Sequence, residues 1–118
     1  MRRLLSIIAV GAAVALSVPA AAHTHLVRST PAANAAVAAP RSFTLTFNEK
    51  LTQAFSKADV VMTGHDMNVP VKVKFSADGK TMTLTPQGAL AKGGYTIKWV
   101  AAGADGHRME GSVPFTVK

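Results

Sequence analysis

From residue 43 onward, apolar and polar positions alternate with period two in a series of short runs. Phe43-Thr44-Leu45-Thr46-Phe47 comes first, and such alternation marks a strand with one buried and one wet face. Val71-Lys72-Val73-Lys74-Phe75 repeats it with lysines at the polar positions, and Thr81-Met82-Thr83-Leu84-Thr85 repeats it again. Asp78-Gly79 lies between those two runs and signals a hairpin turn. Gly93-Gly94 leads into Tyr95-Thr96-Ile97-Lys98-Trp99, and Val113-Pro114-Phe115-Thr116-Val117 closes the series. Proline has no N–H to give to a ladder, so Pro114 predicts an edge strand or a bulge. Shorter runs at 25–29 and 58–62 bring the expectation to about seven strands.

Short strands with turn signals at this spacing predict an all-β fold, a small antiparallel immunoglobulin-like β-sandwich with Greek-key connections. A closed barrel is the alternative the same pattern allows. The alanine-rich stretch 32–39 is bracketed by Pro31 and Pro40 and reads as a connecting loop. A length of 118 residues points to one domain. Hydrophobic residues at 48% exclude a disordered chain. The absence of cysteine excludes a disulfide framework, a zinc finger, an iron–sulfur site and a thiol nucleophile.

The first residues read as an address. Arg2 and Arg3 precede the apolar run 4–18 and the small-residue segment Ala20-Ala21-Ala22, the pattern of a secretory signal peptide. The run falls short of the roughly 20 residues that span a bilayer. Residues 1–22 are therefore expected to be a signal peptide cleaved after Ala22, leaving 23–118 as the secreted domain. The net charge is +7. Lysines 72, 74, 80, 92 and 98 mostly interleave with core positions as on any wet sheet face, so no nucleic-acid partner is expected.

Cleavage after Ala22 changes the chemistry of His23. Its free α-amine and its imidazole Nδ1 can close a six-membered chelate ring on one ion. Such nitrogens bind deprotonated, which is feasible near neutral pH with reference pKa values of about 7.7 and 6.5. Nitrogen donors in a tetragonal plane suit Cu(II). The bland alternative is a chain terminus with no role. Asp105-Gly106-His107 is the second feature, because residues i and i+2 of extended chain point the same way. Its bland alternative is an Asp-Gly turn. Together the two supply an amine, two imidazoles and a carboxylate, a full equatorial set for copper. His25 opens a competing geometry, in which the amine, two deprotonated backbone amides and the third residue's imidazole form a square-planar site without Asp105 or His107. Glu49 reads either as an acceptor for a ligand imidazole or, preferred, as a solvated carboxylate at a strand end.

Over residues 23–118 the sequence resembles the CopC family of periplasmic copper-binding proteins. The resemblance rests on His23-Thr24-His25-Leu26 with Ser29-Thr30-Pro31, on Leu45-Thr46-Phe47-Asn48-Glu49-Lys50-Leu51 and on Val60-Val61-Met62-Thr63. It rests above all on Tyr95–Trp99 leading into Asp105-Gly106-His107 and Gly111-Ser112-Val113-Pro114-Phe115. It implies a small β-sandwich that is not an enzyme. It also implies one Cu(II) ion bound by His23 (amine and imidazole), Asp105 and His107. The function implied is copper tolerance, storage or delivery to a membrane copper transporter of the CopD type, by a periplasmic protein expected to be a monomer. Some members carry a Cu(I) site in a methionine-rich loop. The corresponding candidates here are Met62, His65 and Met67, fewer methionines than such members have, so that site is not favoured. The alternatives are a small copper-dependent oxidase built on an N-terminal histidine brace and an interaction module without metal.

Overall fold

Residues 23–65 and 67–118 are described by a computed structural model, and the expected signal peptide, 1–22, lies outside the described residues. The strands are β1 (Leu26–Thr30), β2 (Ala35–Val37), β3 (Phe43–Phe47), β4 (Lys57–Met62), β5 (Met67–Val69), β6 (Val71–Phe75), β7 (Thr81–Pro86), β8 (Gly93–Ala102) and β9 (Arg108–Val117). One turn of 3-10 helix, Gln53–Phe55, precedes β4. The strands form a four-stranded sheet in the order β1-β3-β7-β6 and a five-stranded sheet in the order β2-β9-β8-β4-β5. This is the all-β sandwich expected from the alternation, with two separate sheets where a closed barrel would have one.

The period-two pattern explains the packing. Phe43, Leu45 and Phe47 of β3 and Met82 and Leu84 of β7 turn inward from one sheet, and Val60, Tyr95, Ile97, Trp99, Val113, Phe115 and Val117 meet them from the other. Phe43 packs on Phe115 at 5.3 Å between ring centroids, and Phe47 meets Trp99 edge-on at 5.0 Å. Each large apolar side chain so buried contributes about 1.5–3 kcal/mol. The Asp78-Gly79 turn joins β6 to β7 as expected, with Gly79 at φ 72°.

Three expectations need correction. The stretch 32–39 is not all loop, because Ala35–Val37 pairs in parallel with Phe115–Val117, so the sandwich is not wholly antiparallel. Met67–Val69 adds a further short strand against Val60–Met62, giving nine strands among the described residues and not about seven. Nor is Pro114 on an edge strand, since β9 lies between β2 and β8 with an unbroken register to β8. The Pro114 carbonyl accepts from the Asn34 N–H at 2.6 Å. Carbonyl and nitrogen of one strand residue point to the same side, so the missing donor faces the ground just before β2 begins, where no ladder bond is required.

β8 and β9 form the longest ladder, from the Gly93–Val117 pair to the Ala102–Arg108 pair. That ladder delivers the loop 103–107, with Asp105 and His107, to one end of the sandwich. The chain entering β1 reaches the same end from the other sheet.

Candidate metal centre

The three residues before β1 alternate in exposure. His23 and His25 are exposed, and Thr24 between them is buried at 3% exposure. The Thr24 hydroxyl donates to the Glu49 carboxylate. Asn48 holds the same segment on both sides: its Oδ1 accepts from the His25 N–H at 2.8 Å, and its Nδ2 donates to the His23 carbonyl at 3.1 Å. The Asn48 N–H donates to the His25 carbonyl at 3.2 Å. The His25 Nδ1 lies 3.1 Å from the His23 carbonyl. Residues 23–25 are thus fixed to the chain just after β3 by a polar clamp.

Glu49 is half-buried and accepts from Thr24, so it is not simply a solvated strand-end carboxylate. Its carboxylate lies over Gly103, where a Cβ would overlap it and would also come within 2.6 Å of the Thr24 hydroxyl. Gly103 is therefore glycine because two other segments occupy the space of its side chain. Thr52 secures the loop's base, its N–H donating to the Ala102 carbonyl at 2.8 Å and its hydroxyl to the Gly103 carbonyl at 3.0 Å. Through Glu49, the segment that leads into β1 of one sheet and the β8–β9 loop of the other are in direct contact.

Within the loop, Gly106 takes φ 81°, a left-handed conformation that favours glycine. The turn brings Asp105 and His107 together. Asp105 Oδ1 accepts from the His107 N–H at 3.0 Å, and Oδ2 lies 2.9 Å from the His107 Nδ1. Both side chains are largely exposed. The backbone N–H of His107, and then its ring, hold the Asp105 carboxyl below its ordinary value of 3.8. An ionised carboxylate and an imidazole side by side, open to solvent, form a two-donor pincer for a cation.

Asp105 and His107 lie side by side, but a turn at Gly106 brings them together and not extended chain, so the local structure is the Asp-Gly turn of the alternative reading. His23 is carried to the same end by its backbone, but its exposed side chain is not grouped with the other two. Among the described residues no set of three or more histidines and acidic residues is close enough to hold a metal ion. Of the Cu(I) candidates, Met62 and Met67 face each other across β4 and β5, and the His65 N–H donates to the Met62 carbonyl at 3.3 Å in the intervening turn. Met62 packs against the core, and Met67 is exposed.

Thr24 and Asn48 were not singled out as site residues from the sequence. Thr24 had a signal, because a hydroxyl between two exposed histidines falls on the inward side of a period-two pattern. Asn48 had none, since its partners lie more than twenty positions away.

Comparison with known proteins follows the same line. The CopC domain is matched over residues 26–118. Copper resistance protein C of Xanthomonas campestris pv. juglandis is 38% identical over 123 residues, covering 99% of this chain and 97% of that protein. Among solved structures, the methionine-rich copper resistance protein PcoC from Escherichia coli superimposes with a TM-score of 0.76 at 42% identity, over 82% of this chain and all (100%) of that one. CopC from Methylosinus trichosporium OB3b gives a TM-score of 0.74 at 32% identity, over 81% and 94% of the two chains. The chain belongs to the CopC family. The relatives are named for copper resistance and not for a reaction.

Proposed function

We propose that this protein binds copper in the service of copper resistance, taking one Cu(II) ion from the periplasm after removal of residues 1–22. The ligands are the His23 α-amine and imidazole, the Asp105 carboxylate and the His107 imidazole. The observation that carries this reading is the contact of Thr24 and Glu49 with Gly103, which ties the residue beside His23 to the loop that bears the other two donors. His23 contributes its imidazole and its freed amine to the set. Binding replaces the contact between Asp105 and His107 with two bonds to one ion, and the ionised carboxylate offsets part of its charge.

A planar set closed by three nitrogens and a carboxylate leaves little room for a substrate, so the protein captures copper and does not turn it over. Acting as a monomer, it stores the ion or passes it to a membrane transporter of the CopD type. A Cu(I) site is no part of this reading, because Met67 is the one freely exposed thioether between β4 and β5.

The test is a Cu(II) titration of residues 23–118, followed by electron paramagnetic resonance, on wild type, His23→Ala and His107→Ala. One ion bound tightly by wild type and sharply weakened in both variants is the expected result. Binding indifferent to His107→Ala would place the copper in the segment 23–25 and refute the proposed ligand set.

A further inference from the structure

A protein that begins His23-Thr24-His25 carries two copper sites that exclude each other. In the second, the α-amine, the Thr24 and His25 amide nitrogens and the His25 Nδ1 surround the ion in a plane, and both amides release their protons to solvent. Any mobile terminus of this pattern can form it, and it makes no use of Asp105 or His107. The folded chain has to suppress it if the loop is to receive the ion.

We propose that Asn48 is the specificity-determining residue that withholds the His25 amide from copper and so commits the ion to His23, Asp105 and His107. This rests on the ligand set proposed above. The second site needs two donors from His25, and both are engaged. The His25 N–H donates to Asn48 Oδ1 at 2.8 Å, and the His25 Nδ1 lies against the His23 carbonyl at 3.1 Å. Asn48 Nδ2 holds that same carbonyl at 3.1 Å, which fixes the orientation of the His23–Thr24 peptide. Thr24, buried and bonded to Glu49, anchors the link between them. Folding the three residues around an ion would break all these contacts. Asparagine is the residue type suited to the position, because one short side chain must accept from one peptide and donate to another.

The experiment uses residues 23–118, which contain every described strand of both sheets, with Cu(II) and Ni(II) as probes. Urea unfolding confirms that each variant is folded. Four nitrogens, two of them anionic amides, give a stronger field than the proposed set, so the visible band of Cu(II) moves to higher energy. Ni(II) in the amide site is square-planar and diamagnetic. In Asn48→Ala the amide form gains about tenfold over wild type, the effect of losing two ordinary hydrogen bonds. Both signatures appear, and adding His25→Ala removes them. Asn48→Asp keeps the acceptor for the His25 N–H and retains the wild-type spectra. Two results overturn the proposal with the ligand set intact: wild-type spectra in Asn48→Ala, or amide spectra in Asn48→Asp. Amide spectra in wild type, insensitive to His107→Ala, would instead overturn the ligand set and the role of Asn48 with it.

Discussion

Thr24→Val removes a single hydroxyl at the junction of segment 23–25, Glu49 and Gly103. The side chain keeps its shape, so the change isolates the hydrogen bond to the Glu49 carboxylate. Bonds to a charged acceptor contribute about 1.5–3 kcal/mol. Glu49 is half-buried and regains water by rotating outward, which places the loss at the lower end, about 1.5 kcal/mol. For a domain of this size that lowers the thermal midpoint by roughly 6–12 °C. Copper affinity falls by at most about tenfold, the equivalent of the same free energy, because His23 is docked beside the loop for a smaller fraction of the time. Urea unfolding without copper and a chelator-competition titration, run on one preparation, measure the two quantities. An unchanged unfolding midpoint would show that the hydroxyl contributes nothing. A full stability loss at unchanged affinity would show that docking segment 23–25 is irrelevant to the metal.

Gly111→Ala is expected to cost about 1–3 kcal/mol, because the added methyl group meets the Trp99 indole, which Phe47 backs at 5.0 Å; denaturant unfolding followed by the emission of the single tryptophan measures it, and an unchanged midpoint would mean that the indole moves freely. The copper-free protein should show Asp105 titrating below 3.8. A carboxyl lowered in the folded state stabilises the loop above the ordinary value, and that contribution disappears as pH falls through the folded value. Because the His107 backbone N–H is the largest cause and survives in His107→Ala, that variant keeps the carboxyl below 3.8, and a carboxyl-carbon NMR titration that returned it to 3.8 would contradict this.

Strands whose alternation spans five residues or more were legible, because one apolar face has only the core to meet. β2 was hidden because its three residues carry no alternation, and its pairing depends on the free side of β9 beside Asn34. β5 was hidden for the same reason of length, its place being set by Val60–Met62. Pro114 misled because the rule about its missing N–H is local, and whether that nitrogen needs a partner depends on where a neighbouring strand starts. Asp105 and His107 were legible as neighbours, but through the turn that Gly106 permits and not through the extended chain the spacing suggested. The roles of Asn48, Glu49 and Gly103 were not, because their meaning lies in contacts between segments far apart in the chain.

The meeting of two sheets at one end of the sandwich has a mechanical consequence. The residues around His23 lead into the four-stranded sheet, and Asp105 and His107 project from the longest ladder of the five-stranded one. A ligand gripped by both is a removable rivet between the halves of a chain that has no cysteine with which to make a permanent one. At a hundred times its dissociation constant such a ligand adds about 2.7 kcal/mol against unfolding. The lifetime of the fold would then follow the supply of the ion, so that the loaded protein outlasts the empty one in the presence of a protease.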